Sequence, residues 1–406
     1  MGLNSRAFRN VILLGLTCLA LYVLVRRSGA MQNSISRRDS IQYWAGARLL
    51  LNHENPYDSS RVLKLEKLQG YNEDRPLVIR TPPWSLFMFL PLGFLNAFWA
   101  WILWFAASVA SLIIAMRISW RLYGQQGAQS IFALVGYTFA PVPACLVAGQ
   151  MGFLLLLGLI LFLWVEGRRP FLAGAALILP FAKPHLLVLF WITLVLWILW
   201  ERKYRIASGL VAVLVPAVAL AFAFDISVFR DYHDFISQAA IGHELIPALS
   251  GVIRALFFHR MFWIQFVPLS LGSIWCVWYF FKNRKKWDWR SHGLAVMVVS
   301  ILVTPYSWIT DEVVLLPAVL QAAIWAYGSR QRIRIGTGLA ILAFVCLNLL
   351  LLLILSSTIP FSSGIYFWSS LVWFGWYFYA RRLWSPDLIS TEAGPPNLTG
   401  VSHPGW

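Results

Sequence analysis

The chain has 406 residues, 59% of them hydrophobic and only 12% charged, against roughly 25% charged in an ordinary soluble domain. Apolar runs approaching the ~20 residues needed to cross a bilayer recur along it, which excludes a soluble enzyme, a secreted disulfide scaffold and a transmembrane β-barrel. The net charge of +16 reads as basic loops at the cytoplasmic ends of spans, so no nucleic acid is expected among the partners.

In chain order, the first predicted span is Val11–Val25, behind Arg6 and Arg9, read as a retained helix rather than a cleaved signal. A long polar outer loop follows over residues 26–80. Within it Ile41, Trp44, Ala45, Arg48 and Leu49 keep helical spacing and predict an amphipathic helix at the membrane surface, ended by Asn55-Pro56. The apolar stretch from Pro82 to Leu95 carries Pro82, Pro83 and Pro91 and is expected to be interfacial or re-entrant rather than a crossing. Further spans centre near Leu103, Leu134, Leu157, Leu177, Leu194 and Leu214. A second outer segment covers 225–260, and spans then resume near Trp275, Met297, Val319, Leu347 and Trp373. The fold class is therefore all-α and polytopic, with about twelve spans in one membrane-embedded domain, residues 1–382. The tail, 383–406, with Pro386, Pro395, Pro396 and Pro404, is expected to be disordered and cytoplasmic, as is its Asn397-Leu398-Thr399 sequon. Cys18, Cys145, Cys276 and Cys346 have neither metal-ligand nor disulfide spacing.

Alternating the spans from a cytoplasmic N-terminus puts 19 of the 33 basic residues inside, with 5 of the 17 acids. That asymmetry supports the orientation. It places the chemistry-bearing residues on the outer face of a cell membrane.

Ionisable residues within apolar runs need a reason, because burying them is costly. Lys183-Pro184-His185 interrupts one run; Asp311-Glu312 follows Thr304-Pro305-Tyr306-Ser307-Trp308; Gly149-Gln150 separates two apolar helices. Taken singly, Lys183 is a snorkelling anchor, Gln150 a helix–helix hydrogen bond, Asp311 a cap and Asp39 a complement to a helix dipole. Their convergence on one face supplies an acid, a cation and amide groups around an outer-leaflet cleft.

Asp39 with Tyr43, Asn55-Pro56-Tyr57, Pro82-Pro83-Trp84, Gly149-Gln150, Lys183-Pro184-His185 and Thr304-Pro305-Tyr306-Ser307-Trp308 stand in an order and spacing that resembles glycosyltransferase family 87. The resemblance covers about Arg37 to Pro317. It departs after Ser307-Trp308, where some members carry paired histidines and this chain has Thr310-Asp311-Glu312. What the resemblance implies is a GT-C-type membrane fold and a hexosyltransferase using a sugar, most often mannose, on a polyprenyl phosphate. The acceptor is a glycolipid or glycan, and the remaining partners are membrane lipids. On that reading Asp39 is the general base, kept ionised by Arg37 and Arg38. Lys183, His185 and Arg80 hold the donor phosphate, and Tyr43, Gln150, Tyr306 and Asp311 line the sugar and acceptor pocket. No cofactor and no metal are expected. The rivals are a transporter or flippase of lipid-linked sugars, against which the lack of an evident internal repeat counts, and a non-catalytic family member.

Overall fold

A computed structural model of the chain describes residues 37–238, 245–258, 260–328, 335–357 and 359–384. The first predicted span, Cys18, the tail and its sequon lie outside the described residues. Among the described residues every regular element is helical. The predicted outer loop holds α1 (Arg37–Leu51) and α2 (Ser59–Leu68). Then come α3 (Ala97–Tyr123), α4 (Gln129–Thr138), α5 (Pro141–Ala148), α6 (Gly152–Val165) and α7 (Pro170–Ala176). They are followed by α8 (Val188–Glu201), α9 (Tyr204–Phe224), α10 (Val228–Gln238) and α11 (Leu249–Phe257). The series ends with α12 (Val267–Asn283), α13 (Leu294–Val303), α14 (Leu316–Gly328), α15 (Ile335–Ser356) and α16 (Ser369–Trp384).

Among the described residues five helical stretches are long and apolar enough to cross a membrane: Ala97–Tyr123, Pro184–Glu201, Tyr204–Phe224, Phe262–Lys286 and Gly338–Ser356. The pair α4–α5 makes a sixth if its 47° bend is counted as one broken span. The other predicted spans among the described residues are helical too, but α6, α7, α13, α14 and α16 are shorter than a crossing needs. Prolines cut them. Pro180 and Pro184 break the run before α8 into two 3₁₀ turns, and Pro141 ends α4. The carbonyl and amide that the α4–α5 break frees are met from α15. Asn348 donates from Nδ2 to Thr138 O and accepts from Ala140 N–H, both at 2.9 Å.

The Pro82–Leu95 stretch forms a 3₁₀ helix, Pro83–Met88, and one α-turn, Leu90–Gly93, neither of which spans anything. The expectation for α1 needs correcting. It is not an amphipathic surface helix, because Ile41, Tyr43, Trp44, Ala45, Ala47, Leu49 and Leu50 are buried along with Asp39, Ser40 and Gln42. The Leu90–Gly93 turn, α3 and α5 pack around it, with Arg48 exposed. It also ends before Asn55-Pro56, at Leu51, with His53 in the left-handed region (φ 58).

At the centre of the bundle α6 packs on α3, α7 and a 3₁₀ turn at Asp311–Leu315. Phe153, Leu155, Leu156, Leu159, Ile160, Phe162 and Leu163 are fully enclosed. Each such side chain contributes roughly 1.5–3 kcal/mol of burial. This gives the polar groups at the N-terminal end of α6 a rigid floor.

Candidate active site

That floor is built by a turn. After α5 the chain reverses at Gly149, whose φ of 73 is left-handed. The Gly149 N–H donates to Leu146 O and the Gln150 N–H to Cys145 O, the paired bonds of a Schellman ending. Trp104 of α3 donates its indole N–H to Gly149 O at 2.7 Å and locks the turn. Gln150 is thereby held at the top of α6. A side chain at position 149 would be forced into a conformation that costs about 1–2 kcal/mol. Gly149→Ala is therefore expected to lower the thermal midpoint measurably and to displace Gln150; an unchanged midpoint would show that the turn tolerates a Cβ.

Gln150 is the hub of the site. Its Nε2 donates to Asp39 Oδ2 at 2.6 Å, and its Oε1 accepts from Lys183 Nζ at 3.2 Å and from Tyr43 Oη at 3.3 Å. This orientation of the amide is the one that gives an N–H to the carboxylate and a carbonyl to the ammonium. Lys183 sits between the two 3₁₀ turns flanking it and also meets Asp311 Oδ1 at 2.7 Å, with side-chain exposures of 13% and 0%. The second Asp311 oxygen accepts the Trp308 N–H at 3.1 Å. Asp39, Gln150, Lys183 and Asp311, drawn from four separate stretches of sequence, thus form one continuous polar chain. Glu312 points the other way. It accepts from Ser369 Oγ at 2.6 Å and Trp373 Nε1 at 2.7 Å and ties this turn to α16.

Above the chain lies a cavity of about 580 Å³. Arg38, Asp39, Gln42 and Tyr43 face it from α1, and Arg75, Pro76, Leu77, Val78, Arg80 and Thr81 from the segment after α2. Gln150, Lys183, His185, Tyr306, Trp308 and Thr310 line it from the bundle, and Leu245, Phe361 and Ser362 complete it. Of the sequence-predicted site residues, Asp39, Tyr43, Arg80, Gln150, Lys183, His185 and Tyr306 all line this one cavity, and Asp311 lies behind Lys183. Arg80 Nη1 donates to Tyr306 Oη at 3.2 Å, and the His185 ring meets the Tyr306 ring edge-on at 5.5 Å. Two buried donor or acceptor atoms of cavity-lining residues, His185 Nε2 and Arg38 Nε, have no hydrogen-bond partner among the described residues. Such orphans call for a ligand or water.

Burial pushes the Asp39 carboxyl above its ordinary value, against the pull of the Arg38 guanidinium and the Gln150 hydrogen bond. Stacking fixes its neighbour Tyr43: the Phe89 ring lies parallel at 4.4 Å and the Trp104 ring is tilted at 4.7 Å. The reading of the sequence missed Trp104, whose part in the turn carries no signal within an apolar span. It also missed Arg75, one charge among many in a polar segment. No group of three or more His, Cys, Asp or Glu side chains suited to a metal ion occurs among the described residues.

The cavity is thus polar, floored by an acid, an amide and a buried ion pair, and set in an apolar helical bundle. The sequence comparison supplies the family. Residues 81–305, just over half of the chain, match the family model of glycosyltransferase family 87. The chain belongs to that family and is a membrane glycosyltransferase. The matched region contains Gln150, Lys183 and His185; Asp39, Tyr43, Arg80, Tyr306 and Asp311 lie outside it and join the site by geometry alone. No curated protein and no solved structure matches the chain.

Proposed function

We propose that the protein transfers a hexose, mannose by the family resemblance, from a polyprenyl-phosphate donor to a glycolipid or glycan acceptor at the outer face of the cell membrane. The observation that carries this reading is the Asp39–Gln150–Lys183–Asp311 chain at the floor of the cavity. Displacement at the anomeric carbon in one step inverts configuration and needs one base for the acceptor proton. Asp39 is that base: it faces the cavity, and Gln150 orients one of its oxygens so that the other meets the acceptor hydroxyl. The sugar–phosphate bond breaks as the acceptor oxygen bonds to the anomeric carbon, and the electron pair leaves on the lipid phosphate. Lys183, His185 and Arg80 line the wall that meets this phosphate. The orphaned His185 Nε2 supplies a hydrogen-bonding atom, while the Lys183 charge is shared with Asp311. Tyr43, Gln150 and Tyr306 contact the sugar, with Asp311 behind them.

The direct test is reconstitution with radiolabelled polyprenyl-phosphate sugars and a membrane extract, followed by identification of the labelled product. A labelled product of inverted configuration supports the reading. Absence of transfer from every such donor removes it. Sidedness has its own test. Cysteines replacing Ser59 and Ser227 are expected to react with an impermeant maleimide added to intact cells, and cysteines replacing Ser329 and Ser390 are not. Labelling at 329 from outside would invert the orientation and put the cavity on the wrong side for this donor.

A further inference from the structure

Glu66 lies in the last turn of α2 with no solvent exposure, and no step of the transfer uses it. Gly70 follows with φ 84. The Gly70 N–H donates to Lys67 O and the Tyr71 N–H to Glu66 O, so the chain turns sharply back at the end of the helix. The strap that follows, residues 71–81, has no regular structure and forms one wall of the cavity with Arg75, Leu77 and Arg80. A non-helical strap needs side chains to fix it. Its N-terminal half is held by the exposed Lys67–Asp74 pair at 2.9 Å, which is worth little in water. The Tyr71 hydroxyl also donates to Arg75 O at 3.0 Å. Its far end is tied by Tyr57 Oη, which donates to Thr81 O at 3.1 Å. At its middle the Leu77 N–H donates to Glu66, with Oε1 at 3.3 Å and Oε2 at 3.2 Å.

We propose that Glu66 is a positioning residue: its buried carboxyl group clasps the strap at Leu77 and so holds the Arg75 and Arg80 guanidiniums against the cavity. The consequence for catalysis rests on the reading given under Proposed function, in which this wall meets the donor phosphate; the clasp itself does not. The titratable groups facing Glu66 are Asp39 from α1 and Glu73 and Tyr71 from the strap, with Arg38 close to Tyr71. Burial, helped by Asp39 and Glu73 and opposed by the Leu77 N–H, raises the carboxyl to about 8, so the clasp closes on the neutral acid at pH 7.

The direction of the pH dependence follows. With the clasp closed the group titrates near 8; with the strap lifted into water it returns to the ordinary value of about 4.3. Between these values the closed form binds the extra proton. Opening therefore grows about tenfold per pH unit across that window and levels off above it.

The test is hydrogen exchange of the full-length protein in nanodiscs, read on peptides covering residues 71–81 from pH 6 to 9 and corrected for intrinsic rates. Wild type is expected to lose strap protection as pH rises. Glu66→Gln, which keeps an acceptor oxygen for Leu77 but cannot ionise, is expected to keep it at every pH. Glu66→Ala is expected to be unprotected throughout. In transfer assays, wild-type donor KM should rise about tenfold or more between pH 6 and pH 8 and level off above, with kcat nearly unchanged, and Glu66→Gln should abolish that rise. Two exchange results would overturn the clasp: the same pH dependence in Glu66→Gln as in wild type, or full protection in Glu66→Ala. Strap exchange as expected with an unmoved donor KM would overturn the positioning role. Strap exchange as expected in a protein that transfers from no lipid-phosphate sugar would leave the clasp standing and remove the functional reading instead.

Discussion

Asp39→Asn is expected to yield a well-expressed protein whose kcat is lower by about 10²–10⁴-fold, the usual worth of a general base. The substitution is nearly isosteric and keeps an oxygen for the 2.6 Å bond from Gln150 Nε2, so only proton acceptance is lost. Asp39 also stands in the first turn of α1, where a carboxylate that merely complements the helix dipole is worth about 0.3–1 kcal/mol. The two roles separate in one experiment. A dead enzyme with an unchanged thermal midpoint marks the base; an active, slightly less stable one marks the dipole partner. The pH profile adds a second readout. A base works deprotonated, and burial raises this carboxyl. Wild-type activity should therefore climb with pH along a limb displaced upward from that of an ordinary aspartate. Transfer by purified Asp39→Asn within a few-fold of wild type would exclude the role, and Asp311, held by Lys183 and the Trp308 N–H, would be a poorly placed substitute.

The second large effect concerns the Lys183–Asp311 pair. Lys183→Gln leaves a fully buried carboxylate without its cation, and breaking one side of a buried pair costs about 3–5 kcal/mol. The thermal midpoint is expected to fall sharply. Adding Asp311→Asn removes the stranded charge and should restore most of that stability. Activity is the discriminating quantity. If Lys183 also touches the donor phosphate, a charge-assisted contact worth about 1.5–3 kcal/mol is gone in both variants, and transfer stays some ten- to a hundredfold down although the fold has recovered. Recovery of activity together with stability in the double variant would make Lys183 a structural cation only. A double-mutant cycle on the midpoint measures the pair's coupling directly.

Three of these four residues were legible in the sequence because a charge or amide inside an apolar run has no bland solvated place to go, while Asp39, in a polar segment, was legible only through the family resemblance. Lys183, Asp311 and Gln150 stand out against Leu, Phe and Val on both sides. Glu66 and Arg75 could not stand out in the same way. They lie in a stretch where charges are ordinary, and nothing in the spacing says that Glu66 is enclosed while Glu73 is exposed. The burial of α1 was misread for a related reason. Hydrophobic periodicity reports the face a helix must hide, but α1 hides its polar face too, since Asp39 and Gln42 front the cavity rather than water. The twelve-span expectation counted apolar length and could not see where prolines convert one run into short turns, as at Pro180 and Pro184.

The shortness of α6 bears on how the membrane meets this enzyme. Its 14 residues rise only about 21 Å. At its far end stand Glu166, Arg168 and Arg169, residues suited to a membrane–water boundary. The Gln150 end then falls about 9 Å short of the other boundary of a hydrocarbon layer ~30 Å thick. Because α6 is enclosed by its neighbours and α3 beside it runs for 27 residues, the shortfall leaves the cavity recessed inside the bundle and the surrounding bilayer need not thin. On the function proposed above, the reacting headgroup would have to enter this recess and meet Gln150 below the level of the membrane surface.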